Sequence, residues 1–178
     1  MPITVNRENV DSYIAEIRKA AEAARLAVAK CAAGDGLEML RCMKFQQIGF
    51  EPLAARTALN LVEQINQTFT CLVSFAAARD LFLLHPSLQE LTMNIGSANG
   101  PDISGRFDNV GVPKQLSCEA FAAVDPDNNR KLSKDISRVR DSAADLKYVF
   151  FYAPTHNTRI GLLREDRGVK IHVVDPMG

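Results

Sequence analysis

Pro101-Asp102-Ile103-Ser104-Gly105-Arg106-Phe107 and, after a short polar interval, Gln115-Leu116-Ser117-Cys118-Glu119-Ala120-Phe121-Ala122-Ala123-Val124 decide how this chain is read. Their period is two, so alternate residues face opposite sides of a sheet, and the spacing predicts strands over 103–107 and 115–124. Ser117, Glu119 and Phe121 then share one face, and Cys118, Ala120 and Ala122 the other. Glu119 is a charge in an otherwise apolar strand, and such a carboxylate requires a partner. Asp102 stands seventeen positions earlier, at the start of the neighbouring strand. Two carboxylates brought together on adjacent strands repel, and a divalent cation offsets that repulsion while satisfying their oxygens, so Mg²⁺, or Mn²⁺, is the expected cofactor. Beside a phosphodiester such an ion would polarise the phosphoryl oxygen, help ionise the attacking water and stabilise the leaving oxyanion.

Outward from this pair the pattern continues. Leu88 to Asn94 reads as a preceding strand. The cluster Asp125-Pro126-Asp127-Asn128-Asn129 reads as a turn whose asparagines cap a helix from Arg130 to Ser142, with Leu132, Ile136 and Val139 on its buried face. Lys147 to Ala153 is a near-continuous apolar run, as expected of a strand covered on both faces. Ile160 to Arg164 and Val169 to Val174 form a hairpin around Asp166-Arg167-Gly168. Upstream, an alanine-rich helix runs from Asp11 to Ala33 and stops at Gly34-Asp35-Gly36. A shorter helix covers Leu37 to Gln47, Gly49 to Pro52 is a turn, and a long helix covers Leu53 to Leu84. In that helix Leu59, Val62, Ile65, Phe69, Leu72 and Phe75 are expected to face the core. The order is α, β, β, β, α, β and a hairpin. The expectation is one α/β domain over 1–178, with 1–52 a helical extension and 53–178 the core.

Composition limits the function. The chain has 178 residues, 47% of them hydrophobic, and 21 basic against 21 acidic side chains, so no overall basic field holds nucleic acid or an anionic membrane. No uninterrupted apolar run approaches the roughly 20 residues of a bilayer span, and residues 1–7 lack the pattern of a secretory signal. A cytoplasmic location and no membrane contact are expected. Cys31, Cys42, Cys71 and Cys118 match no metal or redox spacing and read as four buried thiols without a bridge.

The element order and the Pro101-Asp102 … Glu119 spacing together resemble the PD-(D/E)xK nuclease superfamily over residues 53–153. The resemblance implies a restriction-endonuclease-like mixed sheet with an N-terminal helical extension and a C-terminal hairpin. It also implies metal-dependent phosphodiester hydrolysis with Asp102 and Glu119 as catalytic metal ligands. Glu63 matches the carboxylate that the helix before the first strand often adds. The motif's lysine, two residues after the acid, is here Phe121, which can neither orient water nor stabilise developing negative charge. Lys131 and Lys134 on the next helix lie close in sequence to the third strand's end, and Lys131 is taken as the substitute. A homodimer through the alanine-rich first helix follows from the same resemblance. Phe121 also supports a second reading, an inactive nuclease-like module that binds nucleic acid or a protein partner.

Arg130, Lys134 and Arg138 recur every four residues and form one stripe opposite Leu132, Ile136 and Val139. Such a stripe would contact successive phosphates, DNA ahead of RNA, or be a solvated face with cations near the helix C-terminus. Plainer alternatives exist for the acids: Asp102 as a turn residue, Glu119 as half of an ion pair, Glu63 as the polar edge of a helix. The Asp125 cluster lacks the glycine and terminal glutamate of a calcium loop. Gly96-Ser97-Ala98-Asn99-Gly100 lacks the Lys-Ser/Thr of a phosphate loop. No two histidines have ligand spacing.

Overall fold

The computed structural model describes residues 2–95, 100–156 and 160–177; Gly96 to Asn99 of the glycine-rich stretch lie outside them. Among the described residues, nine strands and four α-helices follow one another as β1 (Pro2–Asn6), α1 (Val10–Cys31), α2 (Gly36–Phe45), β2 (Gly49–Glu51), β3 (Ala54–Leu59), α3 (Leu61–Leu84), β4 (Glu90–Asn94), β5 (Ile103–Asn109), β6 (Val112–Ala122), α4 (Lys131–Arg140), β7 (Leu146–Tyr152), β8 (Gly161–Asp166) and β9 (Val169–Val173). The chain is mixed α/β. It divides into two compact units, residues 1–10 with 72–178, and residues 11–71.

The first unit holds a seven-stranded sheet in the order β1-β4-β5-β6-β7-β9-β8. Strands β4, β5 and β6 are antiparallel neighbours, joined by short connections, and β1 extends them as an antiparallel edge. After β6 the chain crosses through α4, so β7 pairs parallel to β6, as an intervening helix requires. β9 then pairs parallel to β7, and β8 closes the far edge antiparallel to β9. Strand alternation sorts the side chains. Phe121, Val149, Phe151, Ile171 and Val173 pack with Leu132, Ile136 and Val139 of α4. Cys118, Ala120, Tyr148, Phe150 and His172 take the opposite face and are likewise buried. Arg7 ties the end of β1 to the end of α3 by donating to the carbonyls of Phe82, His85 and Pro86.

The elements from β4 to β9 follow the sequence pattern, and three upstream expectations require correction. Pro2–Asn6, to which the sequence pattern assigns no element, is a strand, with Val5 buried. Gly49–Glu51 and Ala54–Leu59 form a hairpin where a turn and the start of a helix were expected. Along α3 Leu72 and Phe75 are buried as expected, but Val62 and Ile65 are exposed, and Leu61, Gln64, Thr68 and Cys71 take the buried positions. Gln64 is satisfied by accepting from Phe50 N–H and donating to the Ala20 carbonyl, each at 3.2 Å, which stabilises a buried amide in an apolar surrounding. Cys31 and Cys42 are joined by a disulfide, and only Cys71 and Cys118 are buried free thiols. The bond ties the end of α1 to α2, a helix with no buried residue of its own. By length and composition α3 is also long and apolar enough to cross a membrane, with mean hydropathy 1.2 over its best window, although 61% of that window is buried within the protein.

Candidate functional site

β5 and β6 pair with Ile103 opposite Cys118, which brings Asp102, one residue ahead of β5, level with Glu119. One oxygen of Asp102, Oδ2, accepts the Ala120 N–H at 2.9 Å, so the acid is held at the strand entry by the backbone beside its partner. Glu119 points to the face that α4 covers. Asn129 and Arg130 both adopt left-handed backbone, and Arg130 caps α4 without a side-chain hydrogen bond, so the expected asparagine cap at Asn129 is not formed. From that start α4 presents Lys131, Asp135 and Arg138 on one side, at spacings of four and three.

Three carboxylates and two cations therefore meet. Arg138 Nη1 lies 2.8 Å from Glu119 Oε2 and 4.0 Å from Asp135 Oδ1. Lys131 Nζ donates to Asp135 Oδ1 at 3.0 Å and sits 2.8 Å from Oδ2. Glu119 is 1% exposed and Asp135 0%, whereas the side chains of Lys131 and Arg138 are 42% and 58% exposed. Glu119 Oε1 has no hydrogen-bond partner among the described residues, which is costly for a buried carboxylate oxygen.

The electrostatics follow from that geometry. Burial, together with the charge of Asp102, pushes the Glu119 carboxyl up to about 8, against the opposing pull of Arg138. Asp135 is also raised, by burial, with Lys131 the main opposing influence. Phe121, two residues after Glu119, is stacked on Phe151 at 5.7 Å, and the Lys131 ammonium stands 5.3 Å above the Phe121 ring.

Asp102, Glu119, Lys131 and Arg138 are thus neighbours. The basic stripe read from sequence is divided: Arg138 is committed to the carboxylates, while Arg130 and Lys134 are exposed. Glu63 is exposed in the first turn of α3, in the other unit, where its N–H bonds the Asn60 side chain. Asp135 is the functional candidate that sequence reading passed over. Its signal was present, because it shares the buried face of α4 with Leu132, Ile136 and Val139, and an acid on that face demands a partner as Glu119 does.

A divalent ion is tested by these residues as follows. Among the described residues no group of three or more His, Cys, Asp or Glu side chains forms a ready metal cage. The donor chemistry nonetheless suits a hard cation: oxygen ligands only, one of them, Glu119 Oε1, buried without a hydrogen-bond partner. Neither a family model, nor a curated protein, nor a solved structure matches the chain.

Proposed function

We propose that this protein is a divalent-metal-dependent nuclease-like phosphodiesterase, with Asp102 and Glu119 as metal ligands, Asp135 as the adjoining carboxylate and Lys131 in the role of the absent motif lysine. The carrying observation is that Glu119 and Asp135 are both buried carboxylates close to Asp102, and that Glu119 Oε1 has no hydrogen-bond partner. Such a cluster is electrostatically incomplete and favours a cation of high charge density. The run α3, β4, β5, β6, α4, β7, with three antiparallel strands and then a parallel one, supports the restriction-endonuclease-like reading.

Mg²⁺ or Mn²⁺ bound there would supply charge stabilisation to a phosphoryl group and favour ionisation of the attacking water. The chain's own residues do the rest. Lys131, half-exposed and anchored by Asp135, is able to donate to a developing oxyanion. Phe121 keeps that ammonium off the sheet by occupying the space beneath it. Ser104 and Arg106 alternate with Ile103 and so follow Asp102 on its face of β5, where they line a depression of about 320 Å³ with Glu90, Thr92 and Gln115. Arg106 is suited to hold a phosphate flanking the reacting one. DNA is the leading substrate, and a cytoplasmic, homodimeric enzyme is part of the proposal.

A second reading has its own observation. The Arg138–Glu119 pair neutralises the acid that a metal would need, so an inactive module that binds nucleic acid or a protein partner is also consistent with this site. Cleavage of plasmid DNA, single-stranded DNA and RNA with Mg²⁺ or Mn²⁺ separates the two. Cutting that disappears in Asp102→Asn, Glu119→Gln and Lys131→Met supports the enzyme; no cutting by folded protein leaves the binding module.

A further inference from the structure

We propose that Arg138 is a displaceable occupant of the cation position between Glu119 and Asp135, leaving it when a divalent ion binds and turning outward to hold the substrate's phosphodiester. The inference rests on the metal-site reading above and adds to it a coupling between metal and phosphate.

The geometry carries the exchange. The guanidinium reaches both buried acids from outside, at 2.8 Å and 4.0 Å, and so occupies the carboxylates that would hold an ion. Its hold is light: Nη1 makes one hydrogen bond, to Glu119 Oε2, and more than half of the side chain is exposed. Glu119 Oε1 is buried without a hydrogen-bond partner, and Asp135 Oδ2 has only the Lys131 ammonium at 2.8 Å, so the arginine leaves Glu119 only partly satisfied and a cation with several coordination positions satisfies more of it. Lys131 cannot take its place, because its ammonium is held on Asp135 and over Phe121.

Two consequences follow. Arg138 and the metal compete for the same carboxylates, so the arginine weakens metal binding in the free protein. Once displaced, an arginine near the end of α4 is a free bidentate donor of the kind that suits a phosphate. A phosphodiester that captures it therefore promotes metal binding, and by linkage the metal promotes phosphodiester binding by the same factor.

The test is Mn²⁺ affinity of the full chain at about pH 8.5, by electron paramagnetic resonance and calorimetry, with and without dimethyl phosphate as the phosphodiester probe. Loss of one charge-assisted contact sets the scale, so Arg138→Ala is expected to bind Mn²⁺ roughly tenfold more tightly than wild type. Arg138→Lys, which keeps the competing charge, is expected to stay near wild type. Dimethyl phosphate tightens Mn²⁺ binding in the wild type and not in Arg138→Ala. Should Arg138→Ala bind the ion no more tightly than wild type, with the ion still lost in Glu119→Gln, the exchange is wrong and the metal site stands. If no form binds Mn²⁺, the metal site itself is wrong and the inference falls with it. For a poorly folded variant, the Arg138 Nε–Hε resonance of the wild type serves instead: a diamagnetic Ca²⁺ titration moves it if the guanidinium is displaced, and an unmoved signal at saturation overturns the proposal.

Discussion

Replacing Glu119 by glutamine isolates the electrostatic penalty of the site. The carboxyl is 1% exposed and has one oxygen without a donor, and its folded value of about 8 stands against an ordinary 4.5. Because the folded value is the higher one, the folded protein holds a proton that the open chain has released between about pH 4.5 and pH 8. Stability attached to Glu119 is therefore fully present below pH 4.5 and is lost as the pH rises through 8. The two values correspond to on the order of 5 kcal/mol, a large share of the 5–15 kcal/mol typical of a whole domain. Glutamine has the shape of the protonated acid and does not titrate. Urea denaturation in the presence of EDTA is the assay, with both proteins followed from about pH 5 to pH 9. Near pH 5 the two midpoints are expected to lie close together; near pH 9 the variant is the more stable by several kcal/mol. Millimolar Mg²⁺ near pH 9 should then recover wild-type stability without helping the variant. A constant difference across that range would refute the reasoning, because it would mean that Glu119 titrates normally and that its burial carries no charge penalty.

Three other perturbations test the surrounding structure. His172, stacked on Phe150 at 4.7 Å, is held down to about 4 by burial and by Lys170; its stabilisation is present above about pH 6.5 and is lost as the pH falls through 4. His172→Phe is expected to flatten that acid limb, worth about 3 kcal/mol, in urea midpoints between about pH 4 and pH 7. A Cβ at Gly105 would lie 2.8 Å from Leu91 Cδ2 and 3.3 Å from Leu88 Cδ1, so Gly105→Ala should destabilise by about 1–3 kcal/mol through overpacking, read as a lower Tm with unchanged far-ultraviolet dichroism. Reducing the Cys31–Cys42 bond, which closes a separation of 11 residues, should lower stability by up to about 3 kcal/mol. Since α2 has no buried residue, its amides are expected to lose hydrogen-exchange protection on reduction before those of α1 do.

The legible part of the chain was the part with a clear strand period or a covered apolar run. In β4 Leu91 and Met93 alternate with exposed neighbours, while in β7 the near-continuous apolar run marks a strand buried on both faces. Upstream, local propensity and tertiary pairing disagree. Ala54-Ala55-Arg56-Thr57-Ala58-Leu59 is alanine-rich and favours a helix by itself, yet pairing of Leu59 with Gly49 and of Ala58 with Phe50 makes it a strand. The expected apolar stripe failed at Val62 and Ile65, and a buried Gln64 is invisible to a rule that assigns buried positions to apolar residues. The disulfide escaped because spacing shows only distance along the chain; Cys42 meets Cys31 through the return of α2 after Gly34-Asp35-Gly36, where Asp35 caps the helix.

At the site the same contrast has a functional meaning. A lysine at position 121 would rise from β6 beside Glu119, on the face that α4 covers. Here an aromatic side chain takes that place and joins the core of Phe151, Ile136 and Val139, while the cation comes from α4 with its own buried acid beneath it. Moving a cation from strand to helix in this way needs two coordinated features: an apolar residue to fill the vacated space and a carboxylate to hold the newcomer. Phe121 and Asp135 meet those needs, Phe121 as a member of the core and Asp135 as the buried partner of Lys131. On the proposed nuclease reading, the triad of Phe121, Lys131 and Asp135 would be a relocated cation centre. Swapping it back tests this: in Phe121→Lys combined with Lys131→Met, with Asp135 kept beside Glu119, the ammonium returns to β6. If the relocation argument is right, this double variant folds and keeps the metal affinity of wild type. A variant that folds but no longer binds Mn²⁺ would refute the relocation.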